Sequence, residues 1–249
     1  MKDSFQDKIR RQMVKAISDY NLIGEGDRVA VAVSGGKDSS VMLYLLNEIK
    51  KRSPYHFEID AVLLDQNQPG FKVDEFADWV KSIGVCFHLI SEDTYSIVKD
   101  KTAPGKSYCG LCSRLRRGIL YNFAFENGYS KIALGHHRDD LNETILMNLF
   151  YSGQLASMPP LLRSDDERNT VIRPLCYVPE EWITDFSQEL EVPIIPCRLC
   201  GTQEGMRRER IKNLIRELEK EHDYIGQSML NAQKNIRLSQ LSDSKHWNH

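Results

Sequence analysis

The chain has no run of about eighteen apolar residues, the length that crosses a bilayer. Its opening stretch, MKDSFQDKIRRQMVKAISDY, lacks the apolar middle of a secretory leader and is charged throughout, so a cytoplasmic protein is expected. Net positive charge is missing too: the formal balance is -2 at pH 7, and any site for a polyanion must be local. There is no internal repeat and no low-complexity linker. The 249 residues, 41% hydrophobic and 27% charged, have the composition of a soluble globular chain with length for one large α/β domain and an appendage. Cysteine is sparse at six residues, and in a reducing compartment these read as metal or redox ligands rather than disulfides.

The most informative segment is VAVSGGKDSSV, Val31 to Val41, where an alternating apolar run empties into Ser34-Gly35-Gly36-Lys37-Asp38-Ser39-Ser40 and turns helical. Two glycines let the backbone approach an anion, the N–H groups opening the next helix point at it, and Lys37 adds a positive charge. A Walker loop would need a glycine, four residues, then Gly-Lys and Ser or Thr. Here the glycines are adjacent and Lys37 is followed by Asp38, so the cradle is not an ordinary NTPase loop.

Strand and helix signals alternate along the chain. Phe5, Ile9, Met13, Ala16 and Ile17 fall at helical spacing. Strands are predicted over 28–33, 57–64, 85–90 and 131–134, with helices over 39–50, 73–83 and 113–126. This pattern predicts a Rossmann-like α/β fold, a parallel sheet with helices on both faces. A loop is expected over 152–173, a short strand over 171–175, and helices over 179–190, 207–222 and 225–237. The division expected is an N-terminal helical segment (1–26), a nucleotide- and cluster-binding domain (27–200), and C-terminal helices with a frayed tail (201–249). In such sheets ligands collect beyond the carboxyl ends of the strands. Ser34–Asp38, Asp65 and Gly135-His136-His137-Arg138-Asp139-Asp140 each follow a strand end, so three polar clusters converge.

Four of the cysteines form two pairs, Cys109-Gly110-Leu111-Cys112 just before a helix and Cys197-Arg198-Leu199-Cys200 before Gly201. A two-residue gap lets both sulfurs of a pair reach one centre, and four thiolates suit either tetrahedral zinc or an iron–sulfur cluster. Spacing alone favours a structural zinc clip; a redox dithiol is a further alternative. Cys86 and Cys176 read as small core residues on strands.

The order Ser-Gly-Gly-Lys-Asp-Ser resembles that of the PP-loop ATP pyrophosphatases, which cleave ATP between its α and β phosphates. Together with CGLCSRLRRGILY (109–121), GHHRDD (135–140), 150–160, VIRPL (171–175) and IIPCRLCG (194–201), it makes the chain resemble one branch, the TtcA-type tRNA 2-thiocytidine synthetases, from about Asp27 to Leu218. The resemblance implies an ATP-dependent tRNA sulfurtransferase acting on cytidine 32 of the anticodon loop. It implies ATP on Ser34–Ser40 with Asp65, Gly135 and Asp140 at hand, and a 4Fe-4S cluster on Cys109, Cys112 and a third ligand, Cys200 rather than Cys197. It also implies a cysteine desulfurase or another sulfide donor, and a homodimer.

On that reading Lys37 and Asp38 serve catalysis, and Asp38 with Asp139 or Asp140 would hold Mg²⁺, a hard cation suited to carboxylates and phosphates. Asp139 and Asp140 also begin a helix, where carboxylates cap N–H groups. His136 and His137 read as substrate-positioning or packing residues. For tRNA phosphates the candidates are Arg114, Arg116 and Arg117, and more weakly Arg207, Arg208, Arg210 and Lys212, which Glu209, Glu217 and Glu219 would balance on a solvated face. The alternatives are a tRNA 2-thiouridine synthetase and a zinc-clipped RNA- or nucleotide-binding protein without turnover.

Overall fold

A computed structural model describes residues 4–68, 73–101, 109–195 and 203–246. In chain order these form α1 (Phe5–Tyr20), β1 (Arg28–Val33), α2 (Lys37–Lys50), β2 (Glu58–Asp65), α3 (Asp74–Ser82), β3 (Cys86–Ser91), α4 (Thr94–Lys101) and α5 (Cys109–Glu126). Then follow β4 (Lys131–Leu134), α6 (Arg138–Tyr151), β5 (Leu161–Arg163), β6 (Thr170–Ile172), α7 (Glu180–Glu189), α8 (Gln203–Glu221) and α9 (Ile225–Ala232). The strands make one sheet in the order β3-β2-β1-β4-β6-β5, parallel throughout except for the β5–β6 pair. The expected Rossmann-like sheet is present. Among the described residues no helix is long and apolar enough to cross a membrane.

The central strand shows why the sheet is covered on both faces. In RVAVAV the alternation is of size rather than polarity. Val29, Val31 and Val33 join a large core with Ile9 and Met13 of α1, Leu43 and Leu46 of α2, Phe76 of α3 and Ile183 of α7. Ala30 turns to the other face, where Val62, Ile132, Ala124 and Tyr129 form a smaller core against α5. The small alanine leaves room for that helix to lie close. Helix α1 is fixed by Ser4, whose Oγ accepts from Asp7 N at 3.2 Å, and by Asn21 in a left-handed conformation at its end.

Several boundaries differ from expectation for local reasons. The strand anticipated over 171–175 stops at Ile172, because Pro174 has no N–H to extend the ladder. Helix α4 escaped the periodicity because it buries only Thr94 and Val98, and β5 is a three-residue edge strand exposed along its length. Helix α9 ends at Ala232. The first cysteine pair does not precede α5 but lies within its first turn. Cys86 is on β3 yet exposed, since β3 is an edge strand with a half-open face, whereas Cys176 is buried as expected but sits in the turn after β6.

Strand order decides where the polar loops meet. The chain steps outward from β1 to β2 to β3, then returns to place β4 on the opposite side of β1. The loops after β1 and β4 therefore diverge to leave a crevice at the carboxyl edge of the sheet.

Candidate active site

The loop after β1 is shaped by its own serines. Ser34 N donates to Ser39 Oγ at 3.1 Å, Ser39 Oγ and Ser40 Oγ donate to the Gly36 carbonyl at 3.2 and 2.9 Å, and both hydroxyls are buried. Gly36 is the N-cap of α2 and brings no side chain to its first N–H groups, so the positive end of the helix is left open to an anion. Gly35 has φ +74°, and a Cβ there would lie 2.6 Å from Ile195 Cβ. Gly135, closing β4, packs so tightly that a Cβ would lie 2.9 Å from Ser39 N. These glycines let the β1 and β4 loops and the segment ending at Ile195 share one small volume.

Charged groups surround the open helix end. Lys37 Nζ donates to Asp38 Oδ1 at 2.7 Å and to Glu180 Oε1 at 3.1 Å. Burial works against its charge, but Asp38 and Glu180 together raise its pKa, so Lys37 is a firm cation. Glu180, the first residue of α7, also pairs with Lys212 of α8. Burial resists its ionisation, yet Lys212 and Lys37 hold its carboxyl down to about 2. Arg208 of α8 reaches Asp140 at 2.7 Å and the buried Glu143 at 2.6 Å. A cavity of about 480 Å³ opens among these groups, with Asp38, His137, Asp140, Glu180, Arg208 and Lys212 on its wall. A larger one of about 760 Å³, around Leu141, Met158, Pro159 and Leu230, is mainly apolar and holds none of the loop residues.

In the second polar cluster His137 caps α6 from Nδ1, 3.4 Å from Asp140 N, while His137 N donates to Asp140 Oδ2 at 3.1 Å. Asp139 Oδ2 accepts from Glu180 N at 2.6 Å, tying the start of α7 to the start of α6. Both carboxylates thus have structural work. His137 Nε2 stands between Asp38 and Asp140, 4.0 and 3.4 Å from their oxygens. Burial lowers the His136 pKa to about 4 despite Asp140, and its Nδ1 accepts from Arg173 Nε at 3.2 Å. Because a guanidinium only donates, His136 is neutral with its proton on Nε2.

The third cluster lies at the end of β2. Asp65 Oδ1 accepts from Asn67 N at 2.8 Å and so caps the turn that leaves the strand. The next residue, Gln66, is buried; its Nε2 donates to Thr94 Oγ1 at 2.8 Å and approaches Cys112 Sγ at 3.3 Å. That contact brings the half-buried Cys112 thiol to the same carboxyl edge as the phosphate loop. Cys109 begins the same turn of α5. Cys197 and Cys200 lie outside the described residues. The described chain ends, before them, at Ile195, whose N–H donates to the Gly35 carbonyl at 2.9 Å.

Sequence reasoning missed Glu180 and Gln66, which belong to no motif. Arg208 and Lys212, the weaker tRNA candidates set against a solvated helix face, both pair with carboxylates of this crevice. Glu219, expected to balance α8, pairs instead with Arg138 at 3.3 Å. Arg114 and Arg117 are exposed on α5 and Arg116 is half-buried.

A glycine turn opening a helix at the switch point of a doubly wound sheet defines an α/β protein built to hold an anion such as a nucleotide phosphate. Residues 4–217 match the PP-loop domain family. A tRNA-cytidine(32) 2-sulfurtransferase from Bdellovibrio bacteriovorus is 56% identical over 240 residues, 96% of this chain and 92% of that protein. One from Coxiella burnetii is 50% identical over 241 residues, 97% of this chain and 94% of that protein. Among solved structures, the U34-tRNA thiolase NcsA from Methanococcus maripaludis with its 4Fe-4S cluster has the same fold, with a TM-score of 0.75, 23% identity, and coverage of 92% of this chain and 78% of that one. The chain belongs to the PP-loop family and, within it, to the tRNA-cytidine(32) 2-sulfurtransferases.

Proposed function

We propose that the chain is an ATP-dependent enzyme that replaces the C2 oxygen of cytidine 32 in a tRNA anticodon loop with sulfur. The observation that carries the reading is the shared carboxyl edge of the sheet: the uncapped start of α2 follows β1 there, and Gln66, next after the neighbouring strand β2, touches the Cys112 thiol. Oxygen on a pyrimidine ring is a poor leaving group, and adenylation remedies that. The C2 oxygen attacks the α-phosphate of ATP, pyrophosphate leaves, and hydrosulfide then adds at C2 and expels AMP with the original oxygen.

The residues suit these roles. The N–H groups of Gly35, Gly36 and Lys37 and the Lys37 ammonium stabilise charge on the transferring and departing phosphates. Gly35 and Gly135, where a Cβ would run into Ile195 and Ser39, hold the loop against its neighbours and so fix where its N–H groups point. Binding ATP draws Lys37 from Asp38 and Glu180, and Glu180 keeps Lys212 as a partner. Asp38, freed of Lys37, is the first choice to hold Mg²⁺; Asp139 and Asp140 are committed to helix caps and join only by giving those up.

The cysteines fit an iron–sulfur cluster. Cys112 lies in the first turn of a helix, where the dipole favours thiolate, with Cys109 three residues before it. Cys200, with Cys197 as the alternative, completes a set of three. A cluster held by three thiolates leaves one iron open to carry the sulfur atom. A cysteine desulfurase or another sulfide donor would supply that atom, and a homodimer is the assembly this reading carries.

The test has two readouts. Protein purified anaerobically should be brown, with iron and acid-labile sulfide that both fall away in Cys112→Ser; a colourless protein with one tight zinc overturns the cluster. In a strain lacking the gene, digested tRNA should lose 2-thiocytidine, and the wild-type gene but not Lys37→Ala should restore it. If a thiouridine vanished and 2-thiocytidine persisted, the substrate would be uridine.

A further inference from the structure

Far from the phosphate loop, at the amino-terminal ends of β2 and β3, three side chains with metal-binding atoms meet. Asp60 and Cys86 are direct partners in the β2–β3 register, and His88, two residues on from Cys86, shares its face of the sheet. Their oxygen, sulfur and nitrogen atoms all lie within 4.8 Å of one another. Cys86 Sγ is 3.6 Å from His88 Nε2, and His88 Nε2 is 3.9 Å from Asp60 Oδ2. Tetrahedral zinc, with bonds of about 2.3 Å to sulfur and about 2.0 Å to nitrogen, sets those two ligands about 3.6 Å apart. The sulfur–nitrogen edge is therefore at its bound length already, and the nitrogen–oxygen edge of 3.9 Å has to shorten by about 0.6 Å.

The surroundings support coordination. Tyr129 Oη donates to Asp60 Oδ2 at 2.8 Å and lies 3.2 Å from His88 Nε2. Its hydroxyl hydrogen bond holds the Asp60 carboxylate in place beside His88, the kind of outer partner that orients a metal ligand. The Phe123 ring packs on His88 at 5.6 Å and on Tyr129 at 6.0 Å, closing one side of the group. Arg28 stacks over Tyr129 at 4.9 Å. Cys86 is exposed, which gives an ion a route in.

We propose that Asp60, Cys86 and His88 form a binding site for a thiophilic divalent cation, zinc above all, separate from the catalytic edge of the sheet. Thiolate and imidazole select zinc over calcium or magnesium, and the three ligands leave a fourth position to water. Binding releases the Cys86 thiol proton. The ion would fasten the edge strand β3 to β2 where backbone pairing begins.

The probe is zinc itself, and the readout is alkylation of Cys86 by N-ethylmaleimide in the cluster-loaded protein, followed on the Cys86 peptide by mass spectrometry. Reading that peptide keeps metal at other cysteines out of the measurement. Free zinc at ten times its Kd should slow alkylation about tenfold, while magnesium should leave it unchanged. His88→Gln and Asp60→Asn should each weaken the protection, and either suffices if the other does not fold. Equal alkylation with and without zinc, or undiminished protection in a folded His88→Gln protein, overturns the site.

Discussion

The Ile195 N–H donates to the Gly35 carbonyl at 2.9 Å, and the Ile195 side chain fills the space where a Gly35 Cβ would stand. This joins the phosphate loop to the segment that runs directly into the second cysteine pair. Gly35→Ala meets two obstacles, a φ of +74° and a Cβ 2.6 Å from Ile195 Cβ, which no rotamer moves away. The strain should cost about 1–3 kcal/mol and shift the loop. The expected outcome is a folded protein with a lowered urea midpoint and ATP-dependent thiolation reduced at least about 100-fold, since misplacement by an ångström has that effect. Unchanged ATP affinity by calorimetry would refute the close-approach argument.

The arginines of α8 divide by their partners. Arg208→Ala removes the guanidinium that donates to Glu143, whose side chain is 5% exposed, and to Asp140, and should destabilise the protein by about 2 kcal/mol in urea. Arg207 is exposed and stacks on Tyr151 at 5.1 Å. Arg207→Ala should change stability by no more than about 0.5 kcal/mol. If it touches a tRNA phosphate, tRNA affinity falls and the salt slope drops by about one. A stability loss in Arg207→Ala equal to that of Arg208→Ala would contradict this division.

What was legible in the sequence was local. Ser34 to Ser40 declares itself because the glycines, the serines that shape the turn and the helix it opens are contiguous, and Val29 to Val33 declares a central strand by its doubled apolar faces. Glu180 was not legible: it meets Lys37 across 143 positions, and a glutamate opening a helix looks like any other first-turn acid. The partners of Arg208 and Lys212 were hidden for the same reason, since a basic run on a helix gives no sign of which carboxylates of other elements it meets. Cys86 misled because an apolar strand pattern does not say that the strand is at an edge.

Glu180 makes stability depend on acid. Its carboxyl is held down to about 2 against an ordinary 4.5, so the folded state binds the proton less readily than the unfolded chain. Its contribution is complete above pH 4.5 and is lost as pH falls towards 2. In nucleotide-free protein, Glu180→Gln should be about 2 kcal/mol less stable at pH 7. Below that window the two proteins should converge, as urea midpoints measured across the range would reveal. A gap that stays constant with pH would mean the loss is steric.

His136 acts over a higher window and through the opposite kind of group. Burial favours the neutral imidazole and lowers its pKa to about 4 from an ordinary 6.5, so between these values the unfolded chain binds the extra proton. Stability from this residue is whole above pH 6.5 and drains away as pH falls towards 4. From pH 6.5 to 5 the loss should be on the order of 1 kcal/mol. His136→Asn has no such proton to take up and keeps an acceptor for Arg173. Its urea midpoint should therefore fall less than that of the wild type over this interval, even if it starts lower. A steeper fall in the variant would mean that His136 is charged in the folded protein and that Arg173 is not its donor.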